Sequence, residues 1–448
     1  MATTTVGPEV QESVENTVAA RFITPGYRWG FAVVVSLFFL WALANNLNDI
    51  LVRQFQKALG LNRAEAGFIQ FVFYIGYFVV AMPAGLLMRR FGYKAGILVG
   101  LMLYATGALL FYPASFMLSY GVFLFALFVI ASGAACLETA ANPYITAFGE
   151  PSRAAQRLNL AQAFNGLGGF IAPIMGGLLV FSGAEPSRAD LARMSPAALG
   201  AYRAGEAGAV RMPYLILAGA ALLVVSAVAL TRLPPAWRTA GAGLKAQFAG
   251  LARSRSLRAA VVAQVAYEAA QVGVWSFFID FTKEVAPQIS ERHAAFLLSA
   301  SLILFMLGRF SGAALMTRVR PVLLLGVYAA INVALCAIAI TAPGWIALVA
   351  LTLTSFFMSI MFPTIFALGI RDLGAATPLG ASCIVMAVVG AAISPPLMGG
   401  VAVLTGSLRS AMLLPVICFG VVVLYAWLTA RQALAEPDNN APLLRTTP

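Results

Sequence analysis

Apolar stretches of 20 residues or more recur along the whole chain, and the short segments between them hold most of the lysine and arginine. A helix rises about 1.5 Å per residue, so about 20 apolar residues cross the hydrocarbon layer of a bilayer. Inside that layer every backbone N–H and C=O must be satisfied internally, and a helix does this within one segment. The pattern predicts twelve spans, at 27–52, 66–88, 95–114, 118–148, 157–183, 212–231, 258–282, 293–316, 322–342, 344–370, 379–405 and 409–430. The expected class is an all-α membrane protein with twelve transmembrane helices.

An even number of spans puts both ends on one side, and the basic residues say which. Eighteen Lys and Arg fall on the side of the termini and ten on the other, four of those ten in the single long loop at 184–211. By the positive-inside rule both termini are cytoplasmic. Residues 1–26 are polar, with no apolar core or small-residue cleavage site, and read as a cytoplasmic tail, as do residues 431–448. The segment 232–257 is the widest cytoplasmic connection and lies near the midpoint of the chain. It is expected to link a six-helix half at 27–231 to a second at 258–430.

An internal repeat supports that division. Pro143-Tyr144-Ile145-Thr146-Ala147-Phe148-Gly149 in the fourth span aligns with Pro363-Thr364-Ile365-Phe366-Ala367-Leu368-Gly369 in the tenth, an offset of 220. Pro173-Ile174-Met175-Gly176-Gly177 in the fifth aligns with Pro396-Leu397-Met398-Gly399-Gly400 in the eleventh, an offset of 223. Two near-equal offsets imply a duplicated six-span unit, and parallel six-span repeats resemble the build of the major facilitator superfamily. The turn Gly85-Leu86-Leu87-Met88-Arg89-Arg90-Phe91-Gly92-Tyr93-Lys94 resembles that superfamily's cytoplasmic signature, with Arg89 where the signature has an acid.

Composition narrows the function. The chain is 61% hydrophobic and 10% charged, where a soluble domain is about 25% charged. Its net charge of +12 comes from residues scattered between spans, without the basic stripe that a nucleic-acid surface needs. Cys136, Cys336, Cys383 and Cys418 stand singly in apolar segments, without CxxC spacing, and read as small core residues. The one histidine, His293, is at the edge of a polar loop, so a histidine-dependent hydrolase or zinc site is not expected. Without a GxxxxGK[ST] phosphate loop the energy source is expected to be an ion gradient. No catalytic residue, metal or cofactor is expected.

Within the spans, Asp49 and Glu138 are acids in long apolar runs. A carboxylate at bilayer depth costs several kcal/mol, so it faces a wet cavity or a partner and marks an ion or substrate path. Asn45, Asn46 and Asp49 stand at i, i+1 and i+4 on the first span, where the amides can serve the carboxylate. Glu138 precedes Asn142 and Pro143 by about one turn on the fourth span, and the proline frees a backbone carbonyl. Asn159, Gln162 and Asn165 form a stripe on the fifth span. On the seventh, Gln264, Tyr267, Glu268, Gln271 and Trp275 share one face. Paired amides and carboxylates beside an indole suit a polyhydroxylated ligand whose C–H face packs on the ring, so a sugar fits better than an anion. An anion would want a buried cation, and Arg309 is the clearest intramembrane one. Each polar residue could equally serve helix packing, a reading that weighs evenly for Asn159, Asn165 and Glu268 and least for Asp49 and Glu138.

Asn45-Asn46-Leu47-Asn48-Asp49, Leu137-Glu138-Thr139-Ala140-Ala141-Asn142-Pro143 and Arg157-Leu158-Asn159-Leu160-Ala161-Gln162-Ala163-Phe164-Asn165 resemble the hallmark segments of the fucose permease group within that superfamily. The likeness runs from about residue 30 to 430. With Met194-Ser195-Pro196, Ala201-Tyr202 and Met358-Ser359-Ile360 it is nearer to the group's fucose carriers than to its glucose/galactose members. The resemblance implies import of a neutral monosaccharide, L-fucose first, with a proton across a bacterial cytoplasmic membrane. It implies coupling through Asp49 and Glu138, and a cavity that includes Gln162 and Asn165. Residues expected at the sugar are Asn45, Asn46, Asn142, Gln162, Asn165, Tyr267, Glu268, Gln271, Trp275 and Phe362; the expected partners are sugar, proton and lipid, with no nucleic acid and no obligatory protein. Two features depart from the group: Met361-Phe362 replaces Gln-Tyr before Pro363, and Glu268 stands where the group's fucose carrier has no acid. A sodium-coupled glucose/galactose carrier and a sugar sensor that does not transport remain as alternatives.

Overall fold

A computed structural model describes residues 21–59, 63–179, 193–234 and 243–435. The side chains of 44–45, 47–58, 63–68, 70, 173–179, 291–292 and 433–435 lie outside the described set. Among the described residues the structure is helical, with no strand. The first six predicted spans correspond to helices Arg28–Leu59, Arg63–Phe91, Tyr93–Met117, Tyr120–Thr146, Ala154–Leu179 and Arg211–Leu230. The eighth, ninth and twelfth are Glu291–Leu315, Pro321–Thr341 and Leu413–Ala435.

Three spans are broken where the apolar pattern predicts one helix. The seventh runs Arg255–Ser276 and resumes as Phe278–Val285, the tenth runs Gly344–Met358 and Met361–Ile370, and the eleventh runs Thr377–Met386 and Val389–Thr405. Two further helices, Pro196–Gly208 and Leu244–Arg253, form in the long loop after the fifth span and in the expected linker. Both are short and amphipathic, so a search for long apolar runs passes over them. Hydroxyl caps set several starts: Ser195, Ser254 and Ser290 accept from the backbone N–H of Ala198, Leu257 and His293.

Nine helical segments are long and apolar enough to cross a membrane, counted on the described residues alone. The predicted spans outside that count are the first and fifth, each partly beyond the described side chains, and the seventh. The seventh carries Arg255, Arg258, Gln264, Glu268 and Gln271. Polarity in the middle of a span is thus concentrated where the candidate chemistry lies.

The chain forms two compact units, one of 1–252 with 370–388 and one of 253–369 with 389–448. In the first unit the fourth span is central, and residues 130–146 of it are all buried. The first half of the eleventh span belongs to this unit because it lies against the second span. A Cβ on Gly85 would come within 2.1 Å of Ser382 Oγ and 2.9 Å of the Pro378 carbonyl, so only glycine permits that approach. In the second unit, Val274, Phe278, Phe281, Leu348, Leu351 and Met398 belong to one buried cluster drawn from the seventh, tenth and eleventh spans.

Candidate functional site

In the first unit the polar side chains meet across the first, fourth and fifth spans. Gln162 is buried and its Nε2 donates to Asn142 Oδ1 at 3.2 Å, joining the fifth span to the fourth. Asn142 has no exposed surface, and its Nδ2 has no hydrogen-bond partner among the described residues. Asn165 is half-buried and donates to the Phe38 carbonyl of the first span at 3.1 Å. That approach is close because residue 168 is glycine: a Cβ there would lie 2.5 Å from the Phe39 carbonyl. Half-buried Asn46 turns its amide back to the Ala42 carbonyl at 2.8 Å. Asn159 likewise donates to its own helix, at the Ala155 carbonyl, 2.9 Å away.

Glu138 is 8% exposed, in the middle of the continuously buried stretch 130–146 of the fourth span. Such a carboxylate is retained against a cost of several kcal/mol. The side chains of Asn45 and Asp49 lie outside the described residues; their backbone belongs to helix Arg28–Leu59.

Arg157, expected as a cytoplasmic charge, is fully buried. Its guanidinium donates to the carbonyls of Phe22 at 3.1 Å, Gly149 at 3.0 Å, Glu150 at 2.9 Å and Ile145 at 3.3 Å, and also to that of Thr146. The last carbonyls of a helix have no partner within it and carry the negative end of its dipole, so a cation with five N–H groups is well suited to that place.

In the second unit, burial is graded along the predicted polar face of the seventh span. Gln264 and Tyr267 have no exposed surface and Glu268 is 7% exposed, while Gln271 and Trp275 are half-buried. Gln264 Nε2 donates to Glu268 Oε1 at 3.1 Å, one helical turn along. Gln264 Oε1 and the Tyr267 hydroxyl have no partner among the described residues. A buried polar atom left unpaired costs about 1 to 3 kcal/mol.

Trp275 donates its Nε1–H to Ser355 Oγ at 3.1 Å, and its ring meets Phe305 edge-on at 5.0 Å. Phe362 is buried and stacks on Phe366 at 6.1 Å, beside fully buried Met361. Arg309, read from the sequence as an intramembrane cation, has a structural occupation. Pro363 lacks the N–H that would reach the Ser359 carbonyl, and Arg309 Nε donates to that carbonyl at 3.3 Å. Its guanidinium also lies over the Phe305 ring at 4.5 Å.

The sequence reading passed over Ser301 and Ser355, which lie 2.5 Å apart with no exposed surface. The available signal was the run Thr354-Ser355 in an apolar span, and small hydroxyl residues there are normally assigned to packing.

Residues 29–384 match the sequence profile of the Major Facilitator Superfamily. The chain is 45% identical over 402 residues to the L-fucose-proton symporter of Escherichia coli K12, across 88% of this chain and 92% of that protein. It is 37% identical over 401 residues to a glucose/galactose transporter of Brucella abortus, across 89% of this chain and 93% of that protein. The crystal structure of the transporter FucP in the outward conformation superposes with a TM-score of 0.86 at 45% identity, covering 90% of this chain and 99% of that one. With a twelve-span helical fold, a matching profile and relatives of this identity along most of its length, the chain belongs to the Major Facilitator Superfamily.

Proposed function

We propose that this protein imports L-fucose together with a proton by alternating access, across a bacterial inner membrane with both termini in the cytoplasm. The observation that carries this reading is the 45% identity to an L-fucose-proton symporter over 88% of the chain; the glucose/galactose transporter is more distant, at 37%. The energy source is the proton gradient, and no cofactor is involved.

In this reading Asp49 and Glu138 carry the proton, because a carboxylate can load on one side and release on the other. Asn45, Asn46, Asn142, Gln162 and Asn165 in the first unit, and Tyr267, Glu268, Gln271, Trp275 and Phe362 in the second, act in sugar recognition. The Nδ2 of Asn142 and the hydroxyl of Tyr267, buried and without hydrogen-bond partners among the described residues, suit a ligand rich in hydroxyls.

The test is uptake of radiolabelled L-fucose into proteoliposomes under an imposed proton gradient or an imposed sodium gradient, with a panel of hexoses as competitors. Accumulation driven by protons and displaced first by unlabelled L-fucose is expected. Accumulation that requires sodium and is displaced by glucose and galactose would give the chain to the other branch. Binding with no accumulation under either gradient would make it a sensor.

A further inference from the structure

Three spans converge on Trp275, the indole assigned to the sugar. The seventh carries Trp275, the tenth supplies Ser355 at 3.1 Å from its Nε1, and the eighth supplies Ser301 at 2.5 Å from Ser355 Oγ. The eighth span also supplies Phe305, which meets the indole at 5.0 Å with an interplanar angle of 80°, and Arg309, which lies over Phe305 at 4.5 Å. Arg309 is itself tied to the Ser359 carbonyl at 3.3 Å. Trp275 is half-buried, whereas Ser301, Ser355, Phe305 and Arg309 are all buried.

Two constraints on one ring fix its orientation. The N–H bond sets the indole about its outer torsion, and an edge-on aromatic neighbour blocks the alternative. An indole N–H away from water usually finds an acceptor, and here that acceptor is itself held by a second buried hydroxyl. Ordering the ring in advance lowers the cost of binding against it, which is what a stacking surface for the C–H face of a pyranose requires.

We propose that Ser355, backed by Ser301, is a positioning residue that sets the tilt of Trp275 as the stacking surface for the sugar, with Phe305, itself covered by Arg309, packed at a steep angle against the indole. This rests on the reading of the chain as an L-fucose carrier with Trp275 at the substrate.

The experiment uses the full chain in proteoliposomes and compares wild type with Ser355→Ala, Ser355→Cys, Trp275→Phe, Trp275→Ala and the double variant S355A/W275F. Three quantities are read: half-saturation for L-fucose counterflow, the preference for L-fucose over L-galactose, and the L-fucose-dependent change in tryptophan fluorescence. Ser355→Ala is expected to raise half-saturation about five- to tenfold, the effect of leaving the indole N–H without its acceptor. It should also narrow the sugar preference and alter the fluorescence change. Ser355→Cys, close in shape but a weak acceptor, should do the same and serves if the alanine variant does not fold. Phenylalanine has no N–H, so Ser355→Ala should add nothing in the Trp275→Phe background.

Unchanged half-saturation and fluorescence response in both Ser355 variants would overturn the proposal. So would an equal loss with and without the indole, which would make the serines packing residues. Failures of the underlying reading look different: no L-fucose counterflow in wild type would remove the transport assignment, and normal affinity in Trp275→Ala would remove Trp275 from the site. Either of those would take the proposal with it.

Discussion

Among the candidate site residues, the first unit sets amides beside a carboxylate: Gln162 bonds Asn142, Asn165 bonds the Phe38 carbonyl, and Glu138 lies about one turn before Asn142. The second unit also pairs a buried amide with a carboxylate, Gln264 with Glu268, and adds an indole held by hydroxyls: Trp275 bonds Ser355, Ser355 meets Ser301, and Arg309 covers Phe305. The repeat gives both units a proline at matched positions, Pro143 and Pro363, yet the chemistry around each differs. Duplication supplied the frame. The second unit adds an ordered indole to its own amide–carboxylate pair, and in the proposed reading the first unit carries coupling while both take part in recognition.

The sharpest way to break this comparison is to remove the acids of the first unit. Glu138→Gln and Asp49→Asn should each abolish gradient-driven accumulation of L-fucose, because an amide cannot carry a proton through the cycle, while counterflow survives in at least one of them. Glu268→Gln in the second unit should lower affinity and leave proton-driven accumulation in place. Accumulation lost in Glu268→Gln, or kept in Glu138→Gln, would show that coupling is not confined to the first unit.

The two buried arginines come next. Arg157→Met should lower the folded protein's stability by roughly 3 kcal/mol or more, since it leaves several carbonyls unpaired. Arg309→Met should cost about 1 to 3 kcal/mol, most of it from the carbonyl that Pro363 leaves free and from the lost ring contact. Thermal unfolding of the two variants in one detergent gives the order, and a reversed order would mean that the cation of the second unit bears more of its fold than these contacts indicate.

Trp275→Ala and Gln271→Ala should each weaken L-fucose binding by about 1 to 3 kcal/mol while the protein stays folded. Equilibrium binding with thermal unfolding as the control separates this from packing: unchanged affinity with a lower unfolding temperature would return that face of the seventh span to helix packing.

The smallest effect concerns Phe362. An apolar wall accepts a methyl group and disfavours a hydroxyl that finds no partner, so L-fucose should outcompete L-galactose, its 6-hydroxy counterpart, by about tenfold. Phe362→Tyr should reduce that ratio. Equal competition by both sugars, together with no effect of Phe362→Tyr, would place the residue outside the site.

The twelve spans were legible in the sequence because hydrophobicity along a helix is a one-dimensional property, and the bilayer fixes the length to look for. The acid of the fourth span was legible for the same reason, since a charge in an apolar run stands out with no knowledge of its neighbours. The breaks at Phe277, at Ser359-Ile360 and at Ala387-Val388 were not, because both sides of each break are apolar. The roles of the arginines were not either. Arg157 reads as one more cytoplasmic charge until the end of the fourth span and the chain at Phe22 close around it. Arg309 reads as an isolated intramembrane cation until Pro363, 54 residues further along, leaves it a carbonyl to serve.

Thus the sequence by itself determined the membrane class, the repeat and the positions of the acids, all of which depend on local polarity or on self-similarity. Only the tertiary structure decided which polar groups answer one another. Ser301 and Ser355 are unremarkable small residues in their own spans, and they become a support for Trp275 only when three helices, from the seventh, eighth and tenth spans, bring their side chains to hydrogen-bonding distance. A hydrogen bond is decided by position in space to within a fraction of an ångström, and distance along the chain carries almost none of that information.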